Sequence, residues 1–229
     1  MSDISLYYQE AGSGFPLILL HGNDESSDYF RNQIDFFSKA YRVIAVDTRG
    51  HGKSPRGAAP FTLEQFAVDL KDFLDSMDIH KCHLLGFSDG ANIALLFALR
   101  YPEYIEKLIL NGADLSPSGV KRSTQIPIVI GYGMVSFISL FDKKAVLKKE
   151  MLGLMVTQPH IKPEKLRTLK MKTLVIVGTK DMIKNNHSKL IAASIENSKL
   201  ERIEGGHFIA AKNSETFNKT VETFLNGNL

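Results

Sequence analysis

The sequence predicts an α/β fold in a single domain over 1–229. The sheet is doubly wound and mostly parallel, with helices on both faces and a small inserted cap over 114–170. Three observations predict it. Short strand-like runs alternate with longer segments of helical spacing; the runs are apolar almost throughout, as strands covered on both faces are; and the alternation breaks once, in the second half of the chain. At 229 residues the chain is long enough for one sizeable core.

The strand-like runs are LILLH (17–21), YRVIAVD (41–47), CHLLG (82–86), KLILNG (107–112) and TLVIVG (173–178), with a last one over 199–204. Between the second and third, Leu63, Phe66, Leu70, Phe73 and Leu74 share one helical face. Thr62, with Gln65 three residues on, reads as the N-cap of that helix. A further helix is expected from Asp89 to about Tyr101, and another from near Ser214. Right-handed crossovers then place helices on both faces and functional groups at the carboxyl ends of the strands. Over 114–170, ten Lys or Arg stand against four Asp or Glu around the apolar run IPIVIGYGMVSFISLF. A gap of 57 residues is long for a plain connection, so the segment reads as a cap, with more sheet-covering helix as the alternative.

Composition excludes several classes of function. A net charge of +3 with 23% charged residues lacks the basic blocks of a nucleic-acid binder. The single Cys82 permits no internal disulfide, reads as a buried strand residue and fits a reducing cytoplasm. The opening MSDISLYYQEAG has no basic segment followed by an apolar one, so it does not read as a secretory signal. The longest apolar stretch, 126–141, contains Pro127, Gly131 and Gly133 and is shorter than the roughly 20 residues of a membrane span. The expected partner is a small-molecule substrate, with no nucleic acid and no membrane, and the chain is expected to be a monomer or a homodimer.

The chemistry centres on GFSDG (86–90), between a strand-like run and a helix. A serine hydroxyl attacks only when exposed, beside a general base and near oxyanion donors. A sharp strand-to-helix turn requires small flanking residues. Gly86 and Gly90 supply them and project Ser88 above the sheet, where the helix N-terminus favours negative charge.

Five motifs in order, each at a strand end, resemble the α/β-hydrolase superfamily: LLHGND, DTRGHGKS, GFSDG, GTKD and GGHF. Together they cover nearly the whole chain. The resemblance implies Ser88 as nucleophile, His207 as base, Asp181 as the acid orienting it, and the backbone N–H groups of Asn23 and Asp89 as oxyanion donors. Asp114 in LNGAD is a second candidate acid, or else a cap-hinge residue or helix cap. DTRGHGKS lacks the spacing of a phosphate-binding loop. The resemblance makes it structural, with Asp47, Arg49 and His51 bonded to one another beneath the site and His21 organising its own loop. No cluster has metal-ligand spacing, so no metal or cofactor is expected.

The G-x-S-D-G elbow is similar to that of biphenyl-hydrolase-like serine hydrolases, some of which cleave amino-acid esters. Asp89 therefore either faces the pocket and pairs with a substrate amine or points away in the first helical turn. Met134, Phe137 and Phe141 of the cap are candidate pocket residues, core packing being the alternative. The function expected is hydrolysis of small carboxylic esters through an acyl-enzyme. Carbon–carbon bond hydrolysis or perhydrolysis by the same residues stays open, as does a catalytically silent ligand-binding module.

Overall fold

The computed structural model describes residues 3–227. Among them, seven strands form one sheet: β1 (Tyr8–Ala11), β2 (Pro16–Leu20), β3 (Arg42–Val46), β4 (Cys82–Phe87), β5 (Ile105–Asn111), β6 (Lys172–Gly178) and β7 (Ser198–Ile203). The order is β1-β3-β2-β4-β5-β6-β7, parallel except for β1, which runs antiparallel to β3. The six strands expected from sequence form within a residue or two of their predicted ends. Sequence reading missed β1. It is a four-residue edge strand, half-buried and polar, with no apolar run to announce it.

The parallel strands lack polar alternation because both faces are covered. Along β2, Ile18 and Leu20 pack on one side while Leu17 and Leu19 pack on the other, and all four are almost fully buried. The helices in chain order are α1 (Arg31–Phe37), α2 (Leu63–Ser76), α3 (Asp89–Arg100), α4 (Arg122–Ile138), α5 (Ala145–Thr157), α6 (Pro163–Leu166), α7 (Asn185–Ser194), α8 (Ile209–Lys212) and α9 (Ser214–Leu225). Helices α2 and α3 set Leu63, Phe66, Leu70, Ile93 and Phe97 against the first face. The second face is covered by Phe37 of α1 and by Phe217, Val221 and Phe224 of α9. Each such side chain contributes about 1.5–3 kcal/mol by leaving water. Thr62 caps α2 as predicted, its hydroxyl oxygen accepting the Gln65 N–H.

The order of strand addition reverses after β3, which lies on one side of β2 while β4 lies on the other. A crevice therefore opens above the carboxyl ends of β2 and β4. The loop after β3 supports it, with only part of the expected bonding. Asp47 accepts the backbone N–H groups of Ser27 and Lys53. His51 Nδ1 donates to the Arg49 carbonyl at 3.0 Å, but the Arg49 side chain turns away from both Asp47 and His51: its fully buried guanidinium forks onto Asp69 of α2 at 2.6 and 2.7 Å and reaches Asp3 at 2.6 Å. A buried guanidinium requires a carboxylate in fork geometry, and Asp69 presents one. Cys82 is buried, and burial pushes its thiol up to about 12.

Helices α4 to α6 fill the interval between β5 and β6. Helix α5 buries only Met151 and Leu154, and α4, which packs on α5, buries none of its residues fully. No helix among the described residues is long and apolar enough to cross a membrane.

Two glycine substitutions should act in opposite directions. A Cβ on Gly90 would enter the carbonyls of Leu20 and His21, whereas one on Gly131, inside α4, meets nothing within 4 Å. Gly90→Ala is expected to lower stability in urea unfolding by more than about 2 kcal/mol. Gly131→Ala should raise it by up to about 1 kcal/mol, because alanine loses less backbone freedom in a helix.

Candidate active site

Ser88 sits between β4 and α3 with φ 53° and ψ −121°, a conformation disfavoured for any residue with a Cβ. The surrounding contacts enforce it. Gly86 and Gly90 touch so closely that a Cβ on Gly86 would collide with the Gly90 carbonyl, and the Ser88 N–H donates to the Asn111 carbonyl of β5 at 2.8 Å. The turn lifts Oγ above the strand end, as the flanking glycines predict.

His207, in the loop after β7, brings Nε2 to 2.9 Å from Ser88 Oγ and Nδ1 to 2.8 Å from Asp181 Oδ1. An ionised Asp181 can only accept, so Nδ1 donates and Nε2 is left to accept the serine proton. Gly112, at φ 67°, lies against the imidazole, and a Cβ there would come within 2.7 Å of the ring. Phe87 packs on the ring with centroids 4.9 Å apart, and Tyr29 stacks on Phe87 at 4.3 Å. This aromatic support was not read from the sequence: Tyr29 falls just after LLHGND and Phe87 inside GFSDG, but neither residue type is fixed by those patterns.

Burial by itself would raise the Asp181 carboxyl. The hydrogen bond and charge of His207, with N–H groups of Ile183 at 3.0 Å and Gly178 at 3.2 Å, outweigh it and hold the group below its ordinary value. The structure brings Ser88, His207 and Asp181 together and leaves the rival acid apart. Asp114 accepts the Asn92 amide at 2.8 Å and returns its own N–H to Asn92 at 2.9 Å. Burial pushes its carboxyl up to about 7, and the nearby Asp89 charge adds to the rise.

Asp89 is buried and belongs to the wall of the cavity beside Ser88. Its Oδ2 accepts the Asn23 side-chain amide at 2.8 Å, and that amide also donates to the Met151 carbonyl at 2.8 Å. Burial raises the Asp89 carboxyl, while the Asn23 bond and His207 act against the rise. The backbone N–H of Asp89 lies in the unbonded first turn of α3. That of Asn23 has no acceptor among the described residues, and the neighbouring Gly22 lies against Phe87 and the Ser88 Cβ. His21 is buried and organises its loop, its Nε2 accepting the Thr48 N–H at 3.0 Å. Desolvation lowers its pKa to about 4.

The cavity beside Ser88 is small, with about 20 Å³ of space open to water, and its walls include Asp89, Asp114, Gln125, Met155, Gln158 and Met182. This corrects the sequence reading of the pocket. Met134, Phe137 and Phe141 are 59%, 65% and 80% exposed and do not line it, because α4 is an outer layer resting on α5. Gln125 and Met155 take their place. Gln125 is the last of five polar residues ahead of the apolar run and carried no distinct signal, whereas a position next to Asp181 was the signal for Met182.

The family model described as "alpha/beta hydrolase fold" matches residues 16–135, and that described as "Serine hydrolase (FSH1)" matches residues 81–218. The human Serine hydrolase BPHL is 28% identical over 248 residues, covering 98% of this chain and 84% of that protein. Epoxide hydrolase 4 of Mus musculus is 42% identical over 113 residues; the match spans 48% of this chain and only 32% of that protein's length. The crystal structure of the enol-lactonase from Burkholderia xenovorans LB400 superposes with a TM-score of 0.82 at 19% identity, covering 97% of each chain.

Asp114 should impose a pH dependence on stability. Burial pushes its folded carboxyl up to about 7, above the ordinary carboxyl value of 3.8, so the folded state holds an extra proton between these values and stability falls as pH rises through that window. Asp114→Asn keeps an acceptor for Asn92 and cannot ionise. Relative to wild type, the variant is expected to gain on the order of 2 kcal/mol between pH 5 and pH 8 in urea unfolding.

Proposed function

The chain belongs to the alpha/beta hydrolase fold family, and on that premise we propose that it is a cofactor-free serine hydrolase of small carboxylic esters. The observation that carries this reading is the continuous relay from Ser88 Oγ through His207 to Asp181, at 2.9 and 2.8 Å. Ser88 Oγ attacks the ester carbonyl carbon while His207 Nε2 takes its proton. The N–H groups of Asn23 and Asp89 receive the oxyanion, each worth about 3 kcal/mol in the transition state. Collapse breaks the ester bond, His207 returns the proton to the departing alcohol, and an acyl group stays on Ser88. Water, deprotonated by His207, then releases the acid and restores the serine. Asp181 holds the tautomer and stabilises the imidazolium. In this reading the segment over 114–170 is a cap whose α5 walls the acyl pocket through Met155.

A second reading narrows the substrate to amino-acid esters. Two carboxyls, Asp89 and Asp114, line the cavity beside Ser88, and no Lys or Arg does. Such a cavity favours a substrate bearing an ammonium group and repels one bearing a carboxylate.

Hydrolysis of p-nitrophenyl esters of increasing chain length tests the first reading. Ser88→Ala is expected to reduce kcat by about 10⁶-fold, and Asp181→Asn by about 10⁴-fold. Equal turnover by wild type and Ser88→Ala would reject it. For the second reading, Asp89→Asn should cut the kcat/KM ratio of an alanine ester to the matching propionate ester by about 10–100-fold. An unchanged ratio would remove Asp89 from substrate recognition while leaving the ester reading intact.

A further inference from the structure

Helix α4 presents its apolar side chains to solvent. Ile126, Met134, Phe137 and Ile138 are 49–65% exposed, and Leu140 and Phe141, just past the helix end, are 71% and 80% exposed. Ile126, Ile130, Met134, Phe137 and Phe141 recur at steps of three or four residues, so they form one stripe. Phe137 and Phe141 meet edge to face with centroids 5.5 Å apart. Contiguous apolar surface of this kind marks an interaction site.

The charges around the stripe identify the occupant. Exposed Lys121 and Arg122 stand at the start of α4, and exposed Lys143 and Lys144 follow its end. Two cations at a helix N-terminus oppose the helix dipole, so they are not placed there for the stability of α4. Asp142, the one acid between Lys121 and Lys149 in the sequence, accepts the Lys144 backbone N–H. Pairing α4 with a second copy of itself, parallel or antiparallel, would set cations against cations at both ends. A planar anionic surface meets both ends at once.

We propose that the α4 face docks on an anionic lipid surface, with the Ile126-to-Phe141 stripe among the acyl chains and Lys121, Arg122, Lys143 and Lys144 at the headgroups. The helix lies on the bilayer and does not cross it: α4 has 17 residues, with Pro127 inside it. The sequence expectation of no membrane rested on the absence of a spanning stretch, and an interfacial helix is a separate class. Docking here would face the membrane with the segment next to the site. Helix α5, on which α4 lies, supplies Met155 to the cavity wall and the Met151 carbonyl that holds Asn23.

Flotation of the full-length protein with phosphatidylcholine vesicles, with or without phosphatidylglycerol, tests the proposal. Partitioning onto the mixed vesicles should exceed that onto neutral ones by at least about a hundredfold, and the excess should shrink with added salt. Phe137→Ser with Phe141→Ser should weaken binding to the mixed vesicles about a hundredfold, and Lys143→Glu with Lys144→Glu at least about tenfold. All four side chains are exposed, and circular dichroism with urea unfolding checks that each variant folds. If the aromatic pair does not fold, the charge pair and the lipid dependence of the wild type decide. Absence of wild-type binding, binding indifferent to phosphatidylglycerol, or a folded variant that binds like wild type would overturn the proposal. So would a wild-type dimer by light scattering that the aromatic pair converts to monomer.

Discussion

The close approach of α3 to the ends of β2 and β4 is the constraint on which the rest of the structure depends. Gly90 sits against the carbonyls of Leu20 and His21, and Gly86 sits against the Gly90 carbonyl. Only residues without a Cβ permit this contact, and it holds Ser88 in a strained conformation worth about 1–3 kcal/mol. The covered sheet on either side supplies the stabilisation that offsets the strain. Once Ser88 is raised, every other group of the site is positioned relative to it, from the β2 loop with Asn23 to the β7 loop with His207.

Three buried carboxyls surround that serine, and partners separate their behaviour. Asp181 is held low because His207 and two backbone N–H groups all favour its charged form. Asp114, with one amide partner and a like charge near it, is pushed up to about 7. Asp89 lies between, raised by burial and restrained by Asn23 and His207. Similar depth thus gives one group suited to orienting a histidine and two that could serve recognition. Charge partners decide the roles, since burial acts on all three in the same direction.

The segment between β5 and β6 is built on different terms. Its first helix buries no residue fully, while its second contributes Met155 to the cavity and a carbonyl to the Asn23 network. Stability for α4 therefore comes from α5 and from whatever meets its outer face. That outer face is the apolar run which sequence patterning had aimed at the pocket. An apolar residue in a helix declares that it avoids water; it does not declare which neighbour removes it from water.

The sequence by itself pointed to the six parallel strands, the helix that follows Ser88, and Ser88 and His207 of the relay, with Asp181 and Asp114 both open as the acid. Each is written locally: continuous apolar runs for doubly covered strands, a capping threonine at Thr62, and glycines where backbones touch. The chain order of serine, acid and histidine at strand ends carried Ser88 and His207 and narrowed the acid to Asp181 or Asp114, because strand ends converge in this topology whatever the loops do. Tertiary structure alone decided between Asp181 and Asp114, bonded Asp89 to Asn23, sent Arg49 to Asp69 and faced α4 outward. All four outcomes are choices of partner between segments far apart in sequence. The energies that settle them come from desolvation and from hydrogen bonds between groups that meet only when the chain is folded.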